Sequence, residues 1–158
     1  MQSPKVRMRA VTISAFNSLP EIVRAPLLRQ GFTGDLGAFG IETSDPLSIT
    51  VGLGDVADAD SVWSSFENAL GSLPAGSRIQ IEGLSDEQRR IASTALLARG
   101  MEVIDSDRQD SVIAKAVVLA RSWTNAPACD LHPENFSDLA REIAAESSLG
   151  IEVLDRDA

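Results

Sequence analysis

Two spacings of apolar residues take turns along this chain. Val6-Arg7-Met8-Arg9-Ala10-Val11-Thr12-Ile13 alternates apolar and polar positions before turning apolar, which predicts a strand with one wetter face or edge. Leu47-Ser48-Ile49-Thr50-Val51-Gly52-Leu53-Gly54 predicts a strand that runs into a glycine turn. Ser77-Arg78-Ile79-Gln80-Ile81-Glu82-Gly83 alternates cleanly as another, and residues 101–104 and 150–154 are shorter strand candidates. Between the strands the spacing changes to three and four. Val62, Phe66, Ala69 and Leu70 share a helix face with Trp63 beside it, and Ile91, Ala92, Ala95, Leu96 and Ala98 form another such face. Phe136, Leu139, Ala140, Ile143 and Ala144 sit at i, i+3, i+4, i+7 and i+8, a third amphipathic helix.

Local signals set the helix ends. Asp58 or Asp60 can cap the first helix, because a carboxylate accepts the free N–H groups of a first turn, and Gly71 stands where a helix stops. Ser85 and Gln88 have capping-box spacing, with Gly100 closing that helix. Asp110 is the expected cap of the next helix, and Pro133 fits the first position of the last one, where its missing N–H costs nothing. Residues 14–46 are broken by Pro20, Pro26, Gly31, Gly34, Gly37 and Gly40. Within them, residues 21–28 read as a short helix, and residues 32–41 as a loop or a hairpin closed by a Gly-Asp turn. Val112, Ile113, Ala114, Ala116, Val117, Val118, Leu119 and Ala120 make a helix apolar nearly all round, which predicts burial on more than one side. A second surface follows from that, in a partner domain or subunit. The element order predicts an α/β layered fold with a mixed, largely parallel sheet flanked by helices.

A chain of 158 residues suits one domain, here 1–158, and 44% apolar content is ordinary for a globular protein. No apolar run approaches the roughly 20 residues of a membrane span. Met1-Gln2-Ser3-Pro4-Lys5 lacks the apolar run of a signal peptide. The net charge of -9 repels phosphate backbones, so nucleic acid and anionic membranes are poor partners. Cys129 is the lone cysteine and His132 the lone histidine, too few for an internal disulfide or a zinc site, and a reducing cytoplasm is the simplest compartment.

Few residues invite a chemical reading. Gly52-Leu53-Gly54-Asp55 after a strand resembles a phosphate loop. The dinucleotide fingerprint is incomplete, however, and Asp55, Asp58 and Asp60 would repel an anion, so a tight strand-to-helix turn is preferred. The same three aspartates fail the EF-hand pattern, whose sixth and twelfth positions here hold Asp60 and Phe66. Cys129, Asp130 and His132 suggest a nucleophile and base but lack an orienting third group; His132 reads as a weak helix cap and Cys129 as a small buried filler. Trp63 and Trp123 read as core or interface anchors, and Asn125 as a helix-end residue.

One segment carries a family resemblance. Ala120-Arg121-Ser122-Trp123, then Asn125-Ala126-Pro127-Ala128-Cys129-Asp130-Leu131-His132-Pro133, then Glu134-Asn135-Phe136 resemble the stretch that precedes the catalytic domain in leucyl (cytosol) aminopeptidases. Leu149-Gly150-Ile151-Glu152-Val153-Leu154-Asp155 is similar to the family's next strand. Val51-Gly52-Leu53-Gly54 and Gly31-Phe32-Thr33-Gly34-Asp35-Leu36-Gly37 look like its N-terminal domain. The likeness is loose over the whole chain and more specific over residues 113–155. Cys129, Trp123 and His132 replace the family's usual Asn, Leu and Thr.

The resemblance implies a macro-domain-like, non-catalytic N-terminal domain serving assembly, with residues 124–158 leading toward a catalytic domain that is missing after Ala158. In the family that later domain uses two divalent metals, manganese or zinc, to activate the water that attacks an N-terminal peptide bond. The full-length protein is expected to be a cytoplasmic hexamer acting on peptides. None of the family's catalytic motif positions falls within these residues, so no catalytic, cofactor-binding or metal-ligating residue is assigned, and the isolated chain is expected to be inactive. The alternative is a stand-alone macro-like module binding ADP-ribose or a related nucleotide, with residues 52–54 as its phosphate loop. DNA binding is a third possibility, opposed by the charge.

Overall fold

A computed structural model describes residues 5–44, 47–74, 76–104 and 106–154. The leader reading at Met1-Gln2-Ser3-Pro4 and Asp155 of the closing motif lie outside the described residues. The chain divides into two compact units, one up to Val117 and one from Val118 onward.

The first unit is built on five strands, β1 (Lys5–Val11), β2 (Phe39–Ser44), β3 (Leu47–Gly52), β4 (Arg78–Glu82) and β5 (Glu102–Val103), in the order β2-β3-β1-β4-β5. β1 pairs in parallel with β3 and β4, β4 pairs in parallel with β5, and β2 runs antiparallel to β3. The sheet is therefore mixed and largely parallel, as its sequence predicts.

Alternation decides what each face does. Val6, Met8 and Ala10 of β1, Ile49 and Val51 of β3, and Ile79 and Ile81 of β4 point to one side and are buried. Against them pack Val62, Phe66 and Ala69 of α3 (Ala59–Ala69) and Ala92 and Leu96 of α4 (Asp86–Leu97). Burying each large side chain in this layer contributes about 1.5–3 kcal/mol. A smaller cluster of Val11, Phe16, Leu27 and Phe32 uses α1 (Ile13–Asn17) and α2 (Glu21–Arg29). Its Phe16 and Phe32 rings meet edge to face, with centroids 5.0 Å apart.

Several expectations change. β1 stops at Val11, because the Thr12 hydroxyl accepts the Ala15 N–H and starts α1. Of the two readings of residues 32–41, the loop holds for residues 32–38 and the hairpin does not; the antiparallel partner of β3 is β2, which begins at Phe39. Asp58, not Asp60, caps α3. Gly71 lies within a short 3-10 turn, Leu70–Ser72, and does not take the left-handed conformation of a helix-stopping glycine. The Ser85–Gln88 capping box forms as predicted, and Gly100 has φ 77° after α4.

Helix α5 (Arg108–Asn125) runs across the division between the units. Asp110 does not precede it: Asp107 accepts the Asp110 N–H at 2.8 Å, so Asp110 lies in the first turn. The predicted burial of α5 on several sides is absent. Ala114 is buried, whereas Val112, Ile113 and Val118 are exposed. Apolar residues encircle this helix, so no single packing surface can cover them all.

In the second unit, α6 (Pro133–Glu146) follows a loop, and Trp123 of α5 packs edge to face on Phe136 of α6 with centroids 4.9 Å apart. His132 occupies the N-cap position of α6 without a side-chain cap bond, and Pro133 takes the first helical position. Residues 151–154 form no strand and are exposed. A strand needs a neighbour to receive its backbone hydrogen bonds, and the described residues supply none there.

Candidate functional site

The carboxyl ends of parallel strands are where open α/β sheets usually place ligands. Here that edge is closed by backbone meeting backbone. Gly52 donates its N–H to the Ala38 carbonyl at 2.8 Å, Leu53 to Val11 at 2.8 Å and Gly54 to Gly34 at 3.0 Å. The Gly52 carbonyl accepts from the Gly37 N–H at 3.1 Å and from the Ser65 hydroxyl at 2.8 Å. A Cβ on Gly52 would stand 2.2 Å from the Asp35 carbonyl oxygen, so glycine is required by the approach of the 34–35 backbone. This counts against the phosphate-loop reading at residues 52–54, whose N–H groups, which would cradle an anion, already bind carbonyls. Residues 53–58, with Gly54 at φ 73°, link β3 to α3 as an open connection rather than the tight turn expected.

In the acidic run beyond it, Asp58 has a structural role as the cap of α3. Asp58 accepts the Ser61 N–H at 2.8 Å, and the Ser61 hydroxyl and backbone N–H hold the Asp58 carboxyl below its ordinary value. Among the described residues no group of three or more His, Cys, Asp or Glu side chains is placed to hold a metal ion.

The most developed polar cluster lies on the other face of the sheet and was not read from sequence. Glu42 of β2 accepts hydrogen bonds from the hydroxyls of Ser48 and Thr50 on β3, the first at 3.2 Å. Arg9 of β1 reaches Glu42 at 3.4 Å and Glu82 of β4 at 4.0 Å, and Arg7 reaches Glu82 at 3.3 Å. The Glu42 side chain is only 13% exposed, so these partners stand in for much of its lost hydration. The cluster joins four adjacent strands electrostatically. The available signal was the alternating polar set Arg7, Arg9, Ser48, Thr50, Gln80 and Glu82. Glu42 stayed hidden because β2 was not recognised.

In the second unit, Cys129 and His132 contact different carboxylates, Asp130 and Glu134. Cys129 is exposed, not the buried filler expected, and its sulfur lies 3.6 Å from Asp130 Oδ1. His132 Nδ1 lies 2.9 Å from Glu134 Oε2, outside hydrogen-bonding geometry. The loop is held by its own backbone. Asp130 and Leu131 both donate to the Pro127 carbonyl, at 2.9 and 3.0 Å, and the Asn135 amide donates to the Asp130 carbonyl at 3.0 Å. Trp123 is half-buried against Phe136, the anchor expected of it; Asn125 is the last residue of α5 and does not take the left-handed conformation. No described helix is long and apolar enough to cross a membrane.

No family model matches the chain. A probable cytosol aminopeptidase of Rhodococcus opacus is 40% identical over 60 residues, which is 38% of this chain and 12% of that protein. A probable cytosol aminopeptidase of Corynebacterium diphtheriae is 41% identical over 44 residues, 28% of this chain and 9% of its own length. The crystal structure of cytosol aminopeptidase from Coxiella burnetii superposes with a TM-score of 0.71 at 15% identity, covering 99% of this chain and 39% of that one. The matched portions are thus a minor part of each of these longer proteins. In sequence over partial stretches, and in fold over nearly its whole length, the chain is similar to cytosol aminopeptidases, in keeping with the N-terminal domain of that family.

Proposed function

We propose that this chain is the non-catalytic N-terminal domain of a leucyl-aminopeptidase-type metallo-exopeptidase, serving assembly rather than chemistry. The observation that carries this is the fold likeness over 99% of the chain to only 39% of a cytosol aminopeptidase, together with the partial sequence matches. In this reading residues 1–158 are one domain, with 124–158 leading toward the catalytic part of the parent. Two features of the chain support it. Val112, Ile113 and Val118 present apolar surface along α5, and residues 151–154 carry a strand-like sequence without a strand neighbour. Both fit a chain whose further contacts come from elsewhere in the parent protein.

Two divalent metals, manganese or zinc, would activate water in the catalytic part of the parent. In this reading the cleavage chemistry belongs to the catalytic part of the parent, and no step of it is assigned to this chain. The parent is proposed to be a cytoplasmic hexamer acting on peptides. The stand-alone module for ADP-ribose is the weaker reading, because the amides at residues 52–54 are occupied.

The deciding experiment compares the purified chain with its full-length parent on a chromogenic leucine substrate, with manganese or zinc. The parent is expected to release leucine in a chelator-sensitive way and to migrate as a hexamer, while the chain alone does neither. Chelator-sensitive release by the chain alone overturns the reading. Calorimetric titration with ADP-ribose is expected to give no heat at millimolar ligand.

A further inference from the structure

The first turn of α5 holds a carboxyl group in an unusual setting. Asp110 is 3% exposed, and among the described residues the other buried polar side chains are serines and threonines. It forms a reciprocal pair with Asp107: the Asp110 N–H donates to Asp107 Oδ1 at 2.8 Å, and the Asp107 N–H donates to Asp110 Oδ2 at 3.4 Å. This is a capping box with a carboxylate in each half. The other oxygen of Asp110, Oδ1, is buried without a hydrogen-bond partner.

A carboxylate oxygen shut away from water without a donor is costly when charged, whereas the protonated acid is far less so. The Oδ1 position offers no solvent-exposed surface for a metal cation to approach, but a proton requires no such room. The charged groups acting on it are Asp107, from its own helix, and Arg90, from α4. Asp107 also carries negative charge and disfavours a second one. Arg90 favours the charge, but it is exposed and makes no salt bridge to Asp110.

We propose that the Asp107–Asp110 pair is a proton-operated latch on the start of α5, closed when Asp110 is protonated and loosened when it ionises. The helix concerned carries the chain across the division at Val117 and Val118, so the latch acts on the element that connects the two units. Burial, the largest influence, and the Asp107 charge raise the Asp110 carboxyl above its ordinary value, while the Asp107 N–H and Arg90 oppose the rise.

The test is a carboxyl-carbon NMR titration of the intact chain, joined to amide hydrogen exchange of Asp110 and Ser111 corrected for intrinsic rate. Asp110 is expected to titrate above 3.8, its ordinary value. Protection of the two amides is expected to fall as pH rises through that titration, by about tenfold for each unit of upward shift. Asp110→Asn keeps the acceptor without the charge, and should hold protection constant over the same range. An Asp110 midpoint at or below 3.8, or an unchanged pH dependence in Asp110→Asn, overturns the proposal. The wild-type titration decides even if the variant folds poorly.

Discussion

The side-chain amide of Gln30 closes both backbone groups of Ile41. Its Oε1 accepts the Ile41 N–H at 2.9 Å, and its Nε2 donates to the Ile41 carbonyl at 2.8 Å. Ile41 lies on β2, the edge strand beside β3, and one side chain at the end of α2 thus imitates a neighbouring strand. Unpaired edge groups are a template for another chain, and proteins commonly blunt them. Phe39 and Ile41 are 40% and 41% exposed on this edge, so the protection is needed.

Gln30→Ala should open that edge. We expect a loss of about 1 kcal/mol in urea unfolding, from two partly solvated hydrogen bonds. Light scattering should also detect concentration-dependent association that the parent chain lacks. If the variant scatters like the parent at all concentrations, the blocking role is wrong.

Two glycine replacements should differ sharply. Gly52→Ala drives a methyl group against the Asp35 carbonyl and should cost about 3 kcal/mol or prevent folding, the upper end of overpacking. Gly71→Ala meets nothing within 4 Å and needs no left-handed backbone, so it should be neutral or slightly stabilising. Thermal unfolding of the two proteins side by side checks the contrast.

Removing the Glu42 carboxylate should cost more than removing an exposed ion pair. Glu42→Ala leaves Arg9 and the hydroxyls of Ser48 and Thr50 without their shared acceptor, and about 2–3 kcal/mol should be lost. Arg78→Ala, whose 2.8 Å pair with Glu102 is largely solvated, should cost under about 1 kcal/mol. Equal losses in the two variants would refute the distinction.

Asp58 gives a pH dependence opposite in sign to that of Asp110. Its folded-state value is depressed by Ser61, so its stabilising contribution is present above 3.8 and disappears as pH falls through the lower folded value. The raised Asp110 value works the other way: stability falls as pH rises from 3.8 toward the folded value. Asp58→Asn retains a competent cap and should flatten the acid limb of the stability–pH curve, whereas Asp110→Asn should flatten the limb above it. Urea midpoints across this pH range check both.

Sequence alone determined the strands at β1, β3 and β4 and the helices α3, α4 and α6. β1, β4 and α3 set one local period against one buried face, whereas β3 is buried on both faces and α6 buries only Ala144; the Ser85–Gln88 box is satisfied within four residues of chain. The break after β3 was legible in the same local way. The partnership of β2 with β3, the Glu42 cluster across four strands, the Gln30 amide on the β2 edge and the exposure of α5 were decided by tertiary structure. Those features depend on which surfaces meet across distant parts of the chain. The apolar ring around α5 and the strand-like residues 150–154 show the difference most plainly. Their composition calls for partners, but only folding determines which surfaces within this chain are available to them.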